Sequence, residues 1–224
     1  LRELSDAVQS VAESDARGVV LAAEAPVFSS GHDFNDMHGR DLNEMKRLLA
    51  FCGEFMQLLQ CIPQPVIAQV EGLATAAGCQ LVASCDLAVA GESVRFQMPG
   101  GGGGWFCHTP GVALVRAVGR KRAVEMLLTG DSIDALTALD WGLINRVVPD
   151  SDVAAETRAL LERATRGSRY SKGEGKQALY RQMDLDTAGA YDLATDVMAE
   201  TSQSMDGQEA ITSFVEKRRP EFGA

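Results

Sequence analysis

The stretch from Pro65 to Ser93, PVIAQVEGLATAAGCQLVASCDLAVAGES, does most to limit what this chain can fold into. A short apolar run passes through small residues into a segment, Ala74 to Cys85, that reads as a helix, and then returns as a second apolar run. Two strands joined by a helix-sized connection pair in parallel through a crossover, because a tight hairpin cannot bring parallel strands together. A similar unit precedes this one. Gly18 to Ala23 reads as a buried strand, Phe28 to Asp33 as a turn-rich loop, and Leu42 to Leu59 as a helix that stops before Pro63 and Pro65. Its apolar positions, Met45, Leu48, Leu49, Phe55, Leu58 and Leu59, fall at helical spacing. The order β, loop, α, β, loop, α, β predicts an α/β domain with at least partly parallel pairing.

Beyond this core, the glycine run Gly100 to Gly104 breaks any regular element. The segment GVALVRAVGRKRAVEMLLTG then resumes a helical pattern that Gly130 terminates. From Asp152 onward the pattern is helical, with Leu160, Leu161, Leu179, Leu193, Val197, Met198 and Phe214 supplying apolar faces and Pro220 ending the last helix. We therefore expect an α/β core over 1–150 and a helical region over 151–224. The helical region is compatible with an oligomerising layer and equally with packing onto its own core. Leu1, Leu4, Val8 and Val11 already stand at helical spacing, and the sequence opens on Leu rather than Met. From this we expect the true N-terminus, the first strands of the core and any presequence to precede Leu1.

Composition narrows the function classes. A net charge of -10 opposes binding to a phosphate backbone, so neither DNA nor RNA is an expected partner. No stretch approaches the roughly 20 apolar residues that span a bilayer, so no membrane partner is expected. The five cysteines are odd in number, sit mostly in apolar runs and lack metal-ligand spacing, which predicts reduced thiols and a cytoplasmic setting.

Two loops can carry chemistry. In Ser29-Ser30-Gly31-His32-Asp33-Phe34, small residues follow a strand at the start of a helix, where backbone N–H groups lack intrahelical partners and can receive an oxyanion. A simple capped turn, closed by Asp33 or Ser30, explains the same residues. The second loop, Glu71 to Gln80, has the same form, and Ala77 and Gln80, three residues apart, can address one pocket face. Close helix-to-strand packing is its alternative. His32, Asp33 and His38 match no metal motif, so no metal is expected. The glycine run holds a GxGxxG string only trivially, with no P-loop lysine. Cys107 beside His108 is no nucleophile–base pair if the segment is extended, since neighbours there face opposite sides.

Taken together, APVFSSGHDF, PVIAQVEGLATAAGCQLVASCDLAVA, VRFQMP, LLTGDSIDALTALDWGLINRVVP and DGQEAITSFVEKRRPEF make the chain resemble the crotonase superfamily, the enoyl-CoA hydratase and isomerase fold, along nearly its whole length. The resemblance implies a spiral of ββα units with a C-terminal helical oligomerisation layer, assembled as a homotrimer or a dimer of trimers. It implies an acyl-CoA thioester as small-molecule substrate, with coenzyme A entering as part of that substrate and no separate cofactor. It also implies an oxyanion hole made by the backbone amides of His32 and Ala77. Ser30, His32 and Asp33 match the coenzyme A path, and Phe214 and Lys217 match a C-terminal helix that touches coenzyme A from a neighbouring subunit, with Lys217 to Arg219 available to phosphate.

Two positions depart from the family pattern. Where hydratases carry the two glutamates that hold and deprotonate water, this chain has Gln80 and Gly100, and in this it resembles enoyl-CoA hydratase domain-containing members that lack both glutamates. A carboxamide does not titrate near neutral pH and glycine has no side chain. The resemblance therefore implies an acyl-CoA-binding protein with poor classical hydratase activity, or a non-catalytic acyl-CoA binder on the same fold. Some relatives place an acid or base eight residues beyond the second glutamate, which falls here on His108. Others with glycine at that position recruit bicarbonate, for which Gly100 would leave space.

Overall fold

The computed structural model describes residues 1–223. Helix α1 (Arg2–Ala12) leads into β1 (Val19–Ala22), β2 (Val27–Ser29), the short α2 (Phe34–Met37) and the long α3 (Leu42–Cys61). The plan repeats as β3 (Val66–Val70), β4 (Leu73–Thr75) and α4 (Ala77–Ser84), and again as β5 (Leu87–Gly91), β6 (Arg95–Gln97), α5 (His108–Val118) and α6 (Arg120–Thr129). Then come β7 (Ser132–Asp134), α7 (Ala135–Trp141) and β8 (Arg146–Val148), followed by α8 (Val153–Ala164), α9 (Arg169–Gln182), α10 (Thr187–Ser202) and α11 (Met205–Glu216).

Successive strands of each turn enter different sheets. One sheet has the order β1-β3-β5-β8 and is parallel throughout; the other has the order β2-β4-β6-β7, antiparallel only between β6 and β7. Each ββα turn thus advances both sheets by one strand, which is the spiral implied by the resemblance. In β3, alternate residues serve two cores. Val66, Ala68 and Val70 enter the main core, while Ile67 packs with Val89, Val153 and Leu160 beneath α8. The first helix after residue 150 therefore covers the parallel sheet.

Four readings of the local pattern are corrected. The second sheet was not foreseen, because its four strands have three residues each, too few to show a period. Phe28, read as the start of a loop, is buried inside β2. The segment read as one helix from Ala74 to Cys85 is strand as far as Thr75, and α4 starts only at Ala77, after Ala76 turns to φ +52°. The pattern from Gly111 to Gly130 divides into α5 and α6 at Gly119, whose φ of 79° and ψ of 167° suit glycine alone.

Capping fixes the helices that frame the site. Asp41 and Glu44 form a reciprocal capping box on α3, with Glu44 N–H donating to Asp41 Oδ1 at 2.8 Å and Asp41 N–H to Glu44 Oε2 at 2.9 Å. Helix α9 is held by a buried polar cluster. Lys176 Nζ lies 2.7 Å from Asp86 Oδ2 and donates to the carbonyls of Leu59 and Gln64, and Tyr180 O–H donates to Asp86 Oδ1 at 2.8 Å. Burial pulls the Lys176 ammonium below its ordinary pKa, an effect its pairing with Asp86 offsets. Helices α10 and α11, by contrast, bury almost nothing, and leave Tyr191, Met198 and Phe214 exposed. All five cysteines are free thiols, four of them buried.

Candidate active site

Strands β2 and β4 are parallel neighbours, so the loops leaving their C-terminal ends emerge side by side. The first turns sharply at Gly31, φ +91°, where its N–H donates to Ser29 Oγ at 3.3 Å. Asp33 then caps α2, its Oδ1 accepting from Asn35 N–H at 2.8 Å. The capped turn considered from the sequence is present, and it coexists with the site.

Two glycines let this loop and the start of α4 meet backbone to backbone. A Cβ on Gly31 would stand 3.1 Å from the Ala77 nitrogen, and one on Gly78 would stand 2.7 Å from Ser29 Cβ and collide with the Ser29 carbonyl. Ala76, at φ +52° and ψ -120°, holds a conformation that costs a non-glycine residue on the order of 1–3 kcal/mol. Its N–H donates to Gln97 O at 3.0 Å, which pins the turn to the end of β6. Helix α4 begins with no side-chain cap. Among the described residues, neither His32 N–H nor Ala77 N–H has a backbone or side-chain acceptor. Two free donors on touching segments are suited to one carbonyl or anionic oxygen.

They border an open cavity of about 730 Å³. Of the residues singled out from sequence, Ser30, His32, Asp33, Ala77, Gly100 and His108 line it together. Gln80, Phe214 and Lys217 do not. Gln80 is only 4% exposed, and its Oε1 is buried without a hydrogen-bond partner. Phe214 is 85% exposed on α11, and Lys217 ends that helix in the left-handed region at φ +56°. Arg218 is already engaged: it pairs with Glu209 and with Glu216, the latter at 2.7 Å, and draws the Glu209 carboxyl down to about 2. The basic end expected to meet phosphate is therefore partly neutralised by the helix's own carboxylates.

The far wall is the segment from Pro99 to Pro110. The Cβ direction at Gly100 is blocked, since a Cβ there would stand 2.7 Å from Cys107 N and 2.9 Å from Cys107 Sγ, while Gly100 itself still borders the cavity. The chain thus folds back over the path that a side chain at the second glutamate position would take. His108 is the first residue of α5 rather than part of an extended loop; it is exposed, and its ring packs at 5.0 Å between centroids on Phe106. Burial lowers the His32 imidazole below its ordinary 6.5, favouring the neutral ring, and its Nε2 has no partner among the described residues.

Sequence reasoning missed Phe34, Leu49, Thr75, Trp105 and Phe106 as lining residues. A signal for two of them was available: bulky aromatics directly after each small-residue loop, at positions 34 and 105, where a solvated turn would carry polar residues.

Comparison with known proteins agrees with this architecture. The whole chain, residues 1–224, matches the enoyl-CoA hydratase/isomerase family. It is 45% identical over 219 residues to the mitochondrial enoyl-CoA hydratase domain-containing protein 3 of Mus musculus, covering 96% of this chain and 72% of that protein. Among solved structures, an enoyl-CoA hydratase of Mycobacterium smegmatis superposes with a TM-score of 0.94 at 42% identity, over 98% of this chain and 86% of that one. Human enoyl coenzyme A hydratase domain-containing protein 3 does so with a TM-score of 0.93 at 43% identity, over 98% and 88%. No helix among the described residues is long and apolar enough to cross a membrane.

Proposed function

The chain belongs to the enoyl-CoA hydratase/isomerase family, and on that footing we propose that it binds acyl-CoA thioesters and holds the thioester carbonyl between the main-chain N–H groups of His32 and Ala77. One observation carries this reading: two unpaired N–H donors on segments that Gly31 and Gly78 lock together beside the cavity. Such donors polarise the carbonyl. They also stabilise the enolate formed when a proton leaves the α-carbon, each oxyanion donor contributing roughly 10²–10³-fold. Being backbone groups, they survive the substitutions that removed the glutamates.

Classical hydration needs more. A positioned acid or base supplies roughly 10²–10⁴-fold, and neither Gln80 nor Gly100 can titrate. Of the proton carriers that line the cavity, His32, Asp33, Cys107 and His108, we assign His108 as acid or base for enolate chemistry other than hydration. Ser30 and Asp33 border the path for coenzyme A, which enters as part of the substrate, with no separate cofactor. Phe214 and Lys217 contribute to a neighbouring subunit's site in a homotrimer or dimer of trimers, a reading supported by the exposed apolar residues of α10 and α11. The free thiols suit any reducing compartment, so they do not favour the cytoplasm over the mitochondrial location in the names of the curated relatives.

The second reading, a non-catalytic acyl-CoA binder, is favoured by the blocked side-chain direction at Gly100 and the burial of Gln80. Incubation with acyl-CoAs in D₂O separates the two. Deuterium at the α-carbon, lost in His108→Ala, supports the enolising enzyme, and tight binding without exchange supports the binder. Crotonyl-CoA hydration by the purified protein is expected to stay far below about 10 s⁻¹, an ordinary enzyme turnover; a rate at or above that level would defeat the proposal of poor hydratase activity.

A further inference from the structure

At the mouth of the cavity two aromatic side chains are held in water. Phe34 is 73% exposed and Trp105 is 47% exposed. They come from different segments, α2 and the glycine-rich turn, and their rings meet with centroids 6.4 Å apart at 57°. That is an ordinary tilted contact between aromatic rings, so the pair bridges the two sides of the cavity and leaves no room for a ring between them. Neither carrier segment gives the core a reason for the exposure: α2 is four residues long and buries nothing.

On the Trp105 side the glycines differ in what surrounds them. Gly100 and Gly101 are packed, the second against the Leu128 carbonyl, where a Cβ would stand at 2.7 Å. A Cβ on Gly102 or Gly103 would find its nearest atom no closer than 3.8 Å, and one on Gly104 would find nothing within 4 Å. Directly before Trp105 the last three glycines therefore have open side-chain directions, although the Gly102 backbone packs beside Gly130. Behind the aromatic pair the wall stays apolar, with Leu49, Phe106 and Pro110.

From this arrangement we infer that Phe34 and Trp105 form an aromatic gate that selects acyl-CoAs with an extended apolar tail, of octanoyl length or bearing an aryl group, over short crotonyl-type thioesters. The inference rests on the acyl-CoA reading above. A long tail parts the two rings and covers apolar surface now facing water, whereas a short one ends near the amide pair and gains nothing from them.

The test is calorimetric titration of butyryl-, octanoyl-, palmitoyl- and phenylacetyl-CoA into the wild type, Phe34→Ala and Trp105→Ala. Both residues are exposed, and thermal melts of the variants are expected to match the wild type. Each substitution is expected to weaken the three bulky ligands by about tenfold and butyryl-CoA by less than about twofold. The protein has two tryptophans, so Trp141→Phe leaves Trp105 as sole fluorophore, whose emission is expected to shift with octanoyl-CoA but not with butyryl-CoA. Equal losses for all four ligands, or no loss for any, would overturn the gate while leaving acyl-CoA binding intact. Failure of the wild type to bind any of the four would instead overturn the functional reading, and the gate with it.

Discussion

The two walls of the cavity are both rich in glycine, yet glycine serves opposite ends in them. On the wall built from the 29–33 loop and the start of α4, Gly31 and Gly78 bring backbones into contact and any added Cβ meets main chain. On the facing wall, Gly100 and Gly101 are packed in the same way, but Gly102, Gly103 and Gly104 border open space. Binding geometry common to a family needs fixed donors, because electrostatic stabilisation works without reorganisation. Selection among substrates is better placed on a segment that adapts. In this chain the amides proposed to polarise the carbonyl lie on the first wall beside Phe34, and the position of the second altered glutamate and Trp105 lie on the second.

The comparison can be broken by substitution. Gly78→Ala is expected to have the largest effect, since its methyl cannot avoid the Ser29 backbone. We expect a loss of about 3 kcal/mol, read as a fall in melting temperature of roughly 6–12 °C, with acyl-CoA affinity weakened alongside. Next, the double substitution Gln80→Glu with Gly100→Glu restores both carboxylates on paper. Because the side-chain direction at Gly100 meets Cys107, we expect it to raise crotonyl-CoA hydration by less than about tenfold, short of the roughly 10²–10⁴-fold that one placed carboxylate supplies; kinetics on the double variant decide this.

A smaller effect concerns pH. The folded state depresses the His32 pKa below 6.5, so the unfolded chain binds its proton more readily. The contribution is fully present above about 6.5 and is lost as pH falls through that value toward the folded pKa. Melting temperatures measured from pH 7.5 down to 5.5 should therefore decline more in the wild type than in His32→Gln. Least of all, Gly104→Ala should change stability by less than about 0.5 kcal/mol, since nothing stands near its Cβ direction. A large loss there would show that the second wall is as rigid as the first.

How much was legible in the sequence follows the same division. The first three strands of the parallel sheet and α3 were readable because five residues in β3, four of them apolar, or twenty residues at helical spacing in α3, carry a signal. The amide pair was assigned through the family resemblance, since small residues after a strand fit a capped turn or close helix packing equally well. The second sheet was hidden by the brevity of its strands. The break at Gly119 was hidden because one glycine inside a helical pattern looks like a tolerated weakness until its backbone angles are known. Gln80 was expected to share a pocket face with Ala77 from helical spacing alone. Spacing gives direction around the helix axis but not what stands in front, and the side chain is buried outside the cavity lining. The blocked side-chain direction at Gly100 depends on a return of the chain seven residues later, a contact no local pattern reports.

The central claim is that main-chain amides of His32 and Ala77 grip a thioester carbonyl. Its most direct test is the vibrational spectrum of that carbonyl, with ¹³C=O-labelled octanoyl-CoA bound to the protein and compared with the free ligand. Two converging donors draw electron density onto the oxygen, so the isotope-edited C=O stretch should move to lower frequency on binding and return toward the free value in Gly78→Ala under saturating ligand. A bound ligand whose carbonyl frequency equals that of the free thioester would contradict the account.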